Sequence, residues 1–150
     1  MRLVLMRHAQ AADGSPDHSR RLSQRGRDQA KERGRQLAQA QFDLALVSDA
    51  ARTMETFLTL GLDVPEVRYE AELYFGSHHT IVDLVRTMPA ELSTVLIIGH
   101  EPTVSHAASI LAAQSQRVVE VRPGVSTSTA IVIDFDRWDG PGQITDIYRS

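Results

Sequence analysis

The chain has 150 residues, 42% of them hydrophobic and 23% charged, and a formal net charge of -3. This length and composition predict a single globular domain over residues 1–150, with enough apolar side chains for a core. No block of Lys and Arg dominates the sequence, so its net charge gives no reason to expect a nucleic-acid or membrane partner.

The sequence contains no cysteine, which excludes disulfides, thiol nucleophiles and thiolate metal sites and is compatible with a reducing compartment. Its first apolar run, Leu3–Met6, is too short for the hydrophobic region of a signal peptide. No other stretch reaches the length of a transmembrane helix. We therefore expect a soluble, cytoplasmic protein.

Leu3–Met6 is the first predicted strand, and Arg7 and His8 follow it directly. A neutral imidazole can attack phosphorus, and a guanidinium group offers a planar fork of donors that matches phosphoryl oxygens. A single histidine after a strand is, however, more often a loop residue that bonds to water or backbone. The dipeptide alone leaves both interpretations open.

Residues 9–21 lack periodicity and contain Gly14 and Pro16, which predicts a loop. Ser23 then caps a predicted helix that continues to about Gln39. The narrow inner stripe of this helix consists of Ala30, Gly34 and Leu37. Its arginines are expected to be mostly solvent-exposed.

A second short strand is predicted at Leu44–Val47, followed by a helix that Ser48 or Asp49 caps. Arg52 falls in the first turn of that helix, where the helix dipole disfavours a cation. Arg52 therefore faces either a bound anion or solvent. The apolar face of the helix comprises Ala50, Met54, Phe57, Leu58 and Gly61.

The third strand is predicted at Glu66–Tyr69, and residues 70–76, which include Glu72, indicate an irregular loop. The next helix ends at Pro89. Its apolar side chains have the i, i+3, i+4 and i+7 spacing of a helix face, and they are Ile81, Leu84, Val85 and Met88.

Thr94–Ile98 has the strongest strand pattern in the sequence, and its unbroken run of β-branched residues and Leu predicts a central strand covered on both faces. His100 follows it, and Pro102 suits the first position of the next helix. His100 thus lies between a strand end and a helix start. The last two predicted strands form a hairpin, and they are Ala130–Phe135 and Ile144–Tyr148.

Alternating strands and helices predict an α/β fold with three layers, α/β/α, around a mostly parallel central sheet. Such sheets bind ligands in the crevice at the carboxyl ends of their strands. Singly, Arg52 is explained as a surface residue, His100 as a helix cap and Glu72 as a solvated acid. Their common placement instead favours a site, whose candidate residues are Arg7, His8, Arg52, Glu72 and His100.

Four separated motifs follow one another along the chain. They are Leu5-Met6-Arg7-His8-Ala9, Arg21-Leu22-Ser23-Gln24-Arg25-Gly26, Val47-Ser48-Asp49-Ala50-Ala51-Arg52-Thr53-Met54-Glu55-Thr56 and Ile98-Gly99-His100-Glu101-Pro102. In these motifs the chain resembles the histidine phosphatase superfamily, which implies a phosphoglycerate mutase-like fold. The short segment between Tyr69 and Ile81 makes it similar to the compact SixA-type phosphohistidine phosphatases within that superfamily.

The resemblance implies a role for each matched side chain. His8 would be the phosphorylated nucleophile. Arg7, Arg52 and His100 would surround the phosphoryl group, and Arg21 would add a further phosphate contact. Substrate binding would therefore fall to the three arginines and His100.

Phosphoryl transfer through such a histidine needs a neutral nucleophile and stabilised equatorial oxygens. The arginines and a protonated His100 would supply that charge, so we expect no metal and no other cofactor. An ester leaving group also needs a proton. Glu72 lies roughly where relatives carry the acid, with Asp17 or His18 as substitutes. An imidazole leaving group depends less on a well-placed acid, because the P–N bond is weaker.

The expected activity is hydrolysis of phosphohistidine on a protein side chain, or of a small phosphorylated substrate, with inorganic phosphate as product. The alternatives are a general phosphomonoesterase of the same superfamily and a domain that binds phosphorylated ligands without turnover. Two departures from the family's motifs leave the domain that binds without turnover as an alternative. Ala9 stands where the family usually has Gly, and Asp49 stands where it often has Pro. A positive φ at Ala9 would cost about 1 kcal/mol. Asp49 would oppose anion binding unless it caps the helix, the role that we expect.

The remaining histidines raise the question of a metal site. His100 and His106 are six residues apart, and this spacing does not place both side chains on one helical face, as an i, i+4 spacing would. We expect no zinc site, with His78 and His79 at the pocket rim or in solvent and His106 on a helix surface.

Overall fold

A computed structural model describes all 150 residues. The strands are β1 (Arg2–Arg7), β2 (Leu44–Ser48), β3 (Val67–Glu70), β4 (Thr94–Gly99), β5 (Ala130–Phe135) and β6 (Gly142–Tyr148). The α-helices are α1 (Gln24–Leu37), α2 (Ala51–Leu60), α3 (Glu72–Phe75), α4 (His78–Arg86) and α5 (Thr103–Leu111). Two 3-10 helices cover Asp17–Ser19 and Gln116–Glu120. None of the helices combines the length and apolar character needed to cross a membrane.

The strands form one six-stranded sheet in the order β3-β2-β4-β1-β5-β6. The first four strands run parallel to one another, whereas β5 is antiparallel to both of its neighbours. The mostly parallel sheet and the hairpin of its last two strands are therefore confirmed. β4 lies between β1 and β2, and its residues from Val95 to Gly99 are buried, as the apolar pattern predicts.

Helices cover both faces of the sheet. Along β1, Leu3 and Leu5 pack into a core with α4 and α5, and Val4 and Met6 pack into a second core with α1 and α2. Successive side chains of a strand point to opposite faces, so a strand between two helical layers needs an unbroken apolar run. The predicted three-layer α/β/α arrangement is confirmed.

Ser23 is the N-cap of α1, and its hydroxyl accepts a hydrogen bond from the Gly26 N–H, as predicted. A Cβ at residue 26 would collide with the carbonyl oxygen of Gln10, so glycine allows the helix to approach the loop after β1 closely. The expectation of solvent-exposed arginines is wrong for Arg33, which is only 1% exposed. Arg33 lies on the same face of α1 as the predicted apolar stripe.

Residues 72–75 form the short helix α3, where the sequence predicted an irregular loop. Leu73 is the buried residue of α3 and joins the core beneath α4 and α5. Four residues are too few for a helical period to be recognised in a sequence, which explains the error. The helix directs Tyr74 towards the carboxyl ends of the strands.

Candidate active site

The register of the parallel strands brings the candidate histidines together. Arg7 at the end of β1 pairs with Gly99 at the end of β4. His8 and His100 therefore follow on adjacent strands, and their ring centroids lie 5.1 Å apart. A cleft of about 310 Å³ opens here, lined by Arg7, His8, Gln10, Ala11, Arg20, Arg52, His100, Glu101 and Thr127.

A backbone hydrogen bond fixes the buried imidazole of His8. Its Nδ1 lies 2.6 Å from the carbonyl oxygen of Ala9, so this nitrogen carries and donates the proton. Nε2 is left with the lone pair, which is the form that attacks phosphorus. Burial first, and then the charges of Arg52, Arg7 and Arg20, lower the pKa of His8 to about 4. His8 is therefore neutral at physiological pH.

Ala9 occupies its position without strain. Ser128 is the one non-glycine residue with a positive φ, so Ala9 does not carry the cost of a left-handed conformation. Its side chain is buried with Leu22 and Ala30, and its N–H donates to the Thr56 hydroxyl. The substitution of Ala for Gly therefore leaves the backbone beside the nucleophile undisturbed.

His100 is bound to β2 by a hydrogen bond between its Nε2 and the Ser48 hydroxyl, at 2.8 Å. Its Nδ1 is buried and has no hydrogen-bond partner within the protein. Burial, followed by the neighbouring His8 ring and the positive charge of Arg52, lowers the pKa of His100 to about 3. His100 is therefore neutral at neutral pH in this structure, and its protonation during phosphoryl transfer stays a prediction. A dianionic phosphoryl group beside the ring would favour its charged form.

Arg7 and Arg52 present guanidinium groups to the cleft beside His8. Arg7 donates from Nη1 to the Val125 carbonyl, while its Nε is buried without a hydrogen-bond partner in the protein. Such a buried, unpaired donor is costly, so Nε marks a point where an anionic oxygen would be stabilised. The Arg52 side chain is 9% exposed and donates from both Nη atoms to Asp17.

Asp17 holds Arg52 in place and is itself bound by three side chains. The Tyr74 hydroxyl donates to it at 2.7 Å, and Arg20 and Arg52 donate as well. These bonds, that of Tyr74 foremost, hold the pKa of Asp17 well below its usual range. Asp17 is a carboxylate at neutral pH and therefore does not fit the predicted role of substitute proton donor. Tyr74, which also meets the His100 ring edge-on, was missed because no sequence spacing marks it.

Arg20 lines the cleft, whereas Arg21, the arginine predicted to contact phosphate, does not. The Arg21 side chain is 73% exposed and lies 3.7 Å from Glu55. The backbone is extended at Arg20, and neighbouring side chains of an extended segment point to opposite sides. The structure therefore brings Arg20 into the cleft beside His8 and directs Arg21 away from it.

Glu72 is exposed at the start of α3 and does not line the cleft, so the structure does not bring it together with the other candidates. Glu101 is the carboxylate in the lining. Its oxygens accept hydrogen bonds from the Ser105 backbone and hydroxyl and from the Val125 N–H. Glu101 thus connects α5 to the segment that bonds Arg7.

Asp49 does not cap α2, and neither does Ser48. The N-cap is Ala50, which makes no side-chain capping bond, so the capping prediction is wrong. Oδ1 of Asp49 instead lies 2.9 Å from Nε2 of His18, because the 3-10 helix Asp17–Ser19 folds back over this end of α2. Both residues lie outside the cleft lining, so the Asp49 carboxylate does not oppose an anion there.

His78, His79 and His106 cluster outside the cleft. The ring of His78 lies 4.2 Å from that of His79 and 5.4 Å from that of His106, centroid to centroid. No group of three or more His, Cys, Asp or Glu side chains is arranged to hold a metal ion.

Residues 3–81 match the family model of the histidine phosphatase superfamily (branch 1). The chain belongs to this superfamily. It is 37% identical over 114 residues to the protein Rv1276c of Mycobacterium tuberculosis, covering 73% of this chain and 72% of that protein. The membership predicted from the four motifs is therefore confirmed, and it supports phosphatase activity on a phosphorylated substrate.

Two solved structures share the fold over nearly the whole chain. A Nakamurella multipartitia protein assigned as phosphohistidine phosphatase SixA is 30% identical with a TM-score of 0.87, over 99% of this chain and 95% of that one. The protein histidine phosphatase SixA complexed with tungstate is 25% identical with a TM-score of 0.86, over 99% and 97%. The fold of this superfamily member is therefore the compact SixA arrangement.

His8, which is buried, and His100, which is half-buried, predict a specific pH dependence. Between about pH 6.5 and pH 4 the unfolded chain binds protons at His8 and His100, whereas the folded chain does not. The unfolded state then binds more protons, so the free energy of unfolding falls as the pH falls through this window. The His8 ring in the folded chain, in contrast, stays neutral down to about pH 4.

NMR titration of the His8 ring and urea unfolding at pH 7 and pH 5 test both statements. We expect a His8 midpoint near pH 4 and a lower free energy of unfolding at pH 5 than at pH 7. A midpoint near 6.5, the ordinary value for histidine, would contradict the buried, neutral nucleophile.

Proposed function

We propose that this protein is a phosphatase that hydrolyses phosphohistidine through a covalent phospho-His8 intermediate. The observation that carries the proposal is the lining of the cleft. A neutral histidine stands beside three guanidinium groups, those of Arg7, Arg20 and Arg52, and the one carboxylate in the lining, Glu101, already accepts three hydrogen bonds. The cleft thus stabilises a phosphoryl group without offering a free acid.

In the first step, the lone pair of His8 Nε2 forms a bond to phosphorus while the P–N bond of the substrate breaks. The electron pair of the broken bond leaves with the substrate imidazole. The arginine side chains stabilise the equatorial oxygens, where the negative charge of the transition state is spread. The Ala9 carbonyl accepts a hydrogen bond from the Nδ1–H of His8, and it stabilises the positive charge that the ring gains.

In the second step, a water oxygen bonds to phosphorus and the P–Nε2 bond breaks. Its electron pair returns to Nε2, and inorganic phosphate leaves. The protons released by water pass to phosphate and to solvent. His8 regains its neutral form because burial and the neighbouring arginines oppose its protonation.

The leaving group decides between substrates. The imidazole of phosphohistidine has a second nitrogen, which takes a proton from solvent before the P–N bond breaks, so the ring leaves as neutral imidazole. A serine or sugar alkoxide has no such nitrogen and needs an acid from the enzyme, worth about 10²–10⁴ in rate. Asp17 is held as a carboxylate and Glu72 lies outside the cleft lining, so the site suits phosphohistidine better than a phosphomonoester.

The geometry also supports turnover over binding without turnover. The two departures from the family pattern that favoured a binding domain are Ala9, which is unstrained, and Asp49, which pairs with His18 outside the cleft lining. His8 keeps a nucleophilic nitrogen in the cleft. Neither substitution therefore interferes with the proposed chemistry.

Comparison of kcat/KM for a phosphohistidine peptide, a phosphoserine peptide and a sugar phosphate tests the proposal. We expect the phosphohistidine peptide to be preferred by about 10²-fold or more, because it alone carries its own proton acceptor. Equal or faster turnover of the sugar phosphate would reject phosphohistidine as the substrate.

The Glu72→Gln variant tests whether this residue donates a proton after all. We expect kcat/KM to stay within about twofold of the wild type on all three substrates, as for an exposed surface substitution. Glu91→Gln, which changes another exposed acid, is the matched control. A selective loss on the phosphoserine peptide and sugar phosphate would restore Glu72 as the leaving-group acid.

A further inference from the structure

Arg33 is a buried arginine without a carboxylate partner. It is 1% exposed and its guanidinium group donates only to uncharged oxygens, the carbonyl of Ser128 at 2.7 Å and the side chains of Gln36 and Ser150. Burying a charge in this way is costly, since none of its hydrogen-bond partners carries an opposite charge and burial outweighs the attraction of Glu32. The cost of burying Arg33 indicates that its guanidinium group has a role elsewhere in the structure.

The main partner of Arg33 belongs to the segment 125–129, here called the 125–129 loop, which lies against the nucleophile. The Ser128 N–H donates to the His8 carbonyl at 2.9 Å, and the Arg7 N–H donates to the Thr129 carbonyl at 3.0 Å. The Val125 carbonyl accepts the Arg7 guanidinium, and Thr127 lines the cleft. The loop therefore sets the positions of both residues of the Arg7-His8 pair.

Ser128 adopts a conformation that needs support. Its φ is 64°, in the left-handed region that residues with a Cβ disfavour, and it is fully buried. Such a conformation persists only where the surrounding contacts determine it. Arg33 supplies one of these contacts through the Ser128 carbonyl, on the opposite side of the residue from the N–H that bonds His8.

We propose that Arg33 is a positioning residue, which acts through the 125–129 loop to hold His8 and Arg7 in the geometry required for phosphoryl transfer. Removal of its guanidinium group leaves the Ser128 carbonyl unpaired, so that the long bond from the Ser128 hydroxyl to the Gln29 carbonyl is the remaining hydrogen bond between Ser128 and α1. The His8 carbonyl and the Arg7 side chain then lose fixed partners, and water gains access to the His8 ring. The number of guanidinium groups in the cleft does not change.

The Arg33→Met variant tests this role, because methionine fills similar space without a charge or donors. We expect kcat/KM on a phosphohistidine peptide to fall by about 10- to 100-fold, as for other misplacements of catalytic groups. Arg33→Lys keeps the charge and a donor to Ser128 but not the other bonds, so its activity should lie between Arg33→Met and the wild type. Arg35→Met, on the exposed face of the same helix, is the matched control and should match the wild type.

The titration of His8 separates positioning from a merely structural role. Its midpoint, near pH 4 in the wild type, should rise by at least about one unit in Arg33→Met, because burial is the largest cause of the low value. The charged groups facing His8 are Arg7, Arg20 and Arg52, the titratable His100 ring lies beside it, Glu101 is also in the cleft lining, and all remain in the variant. A simple loss of stability would lower the unfolding temperature without moving this midpoint in the folded protein.

Each outcome decides the question. A folded Arg33→Met variant with wild-type kcat/KM and a wild-type His8 midpoint overturns the proposal. If Arg33→Met does not fold, Arg33→Lys decides instead, and wild-type values of both quantities there overturn it equally.

The His8 titration, together with tungstate binding followed on the same spectra, needs no turnover. The role of Arg33 therefore remains testable even if the wild-type protein hydrolyses none of the tested substrates, a result that would overturn only the proposed function.

Discussion

The His8→Ala variant is expected to lose at least about 10³-fold in kcat, because deletion of an activated nucleophile removes the covalent pathway altogether. His8 is the neutral imidazole in the cleft. Its Nδ1–H donates a hydrogen bond to a backbone carbonyl, so Nε2 is free to attack. His100 does not replace it, since its Nε2 bonds the Ser48 hydroxyl. Turnover with a labelled phosphohistidine peptide measures the loss.

Trapping of the intermediate tests the same step directly. Wild-type protein quenched during turnover should carry phosphate that is stable in base and labile in acid, as expected for a phosphorylated imidazole. The His8→Ala variant should carry none. His106→Ala, which removes an exposed histidine from α5, is the matched control and should be labelled like the wild type. Undiminished turnover or labelling in His8→Ala would remove His8 as the nucleophile.

Local signals in the sequence predict that the two histidines lie at the same edge of the sheet. Leu3–Met6 and Thr94–Ile98 are both apolar runs, and each is followed closely by a histidine. Parallel strands end at the same edge of a sheet, so the histidines must lie near each other if the strands are neighbours. The structure shows β1 and β4 to be adjacent, which completes the argument.

The helical spacing places Arg33 on the buried face of α1, whereas its residue type predicts a solvent-exposed side chain. Position 33 lies three residues after Ala30 and four before Leu37, on the same face. An arginine there was assumed to be solvated, since unpaired arginines are rarely buried. Its partner Ser128 is 95 residues away in sequence, and no local pattern indicates such a contact.

The choice between Arg20 and Arg21 required the structure for a different reason. Both lie in an aperiodic loop, so only the direction of the extended backbone decides which side chain reaches the cleft. The hydrogen bond from Arg52 to Asp17 likewise joins two elements that are separate in the sequence. Tyr74, which also bonds Asp17, comes from a helix of four residues. Motif spacing predicts the residues proposed to react, whereas the groups that orient them depend on tertiary packing.

Replacement of Arg7 should have the second-largest effect on turnover. Its Nη1 is engaged by Val125 and its buried Nε has no partner within the protein, so one guanidinium group bridges the 125–129 loop and the site of the phosphoryl oxygens. We expect Arg7→Met to lower kcat/KM by about 10²–10³-fold, as for the loss of a preorganised donor to a transition state. Tungstate and inorganic phosphate should also bind more weakly.

Arg7→Lys distinguishes the geometry of the guanidinium group from its charge. Lysine keeps a positive charge but concentrates its donors at one atom, so it cannot bond the Val125 carbonyl and a phosphoryl oxygen as a planar fork does. We therefore expect Arg7→Lys to recover anion binding more fully than kcat, because the ground state requires charge and the transition state also requires alignment. Arg2→Met, at the other end of β1 and paired with Asp134 on the surface, is the control. If Arg7→Lys matches the wild type in kcat, charge alone accounts for the role of Arg7 and its hydrogen-bonding geometry does not contribute.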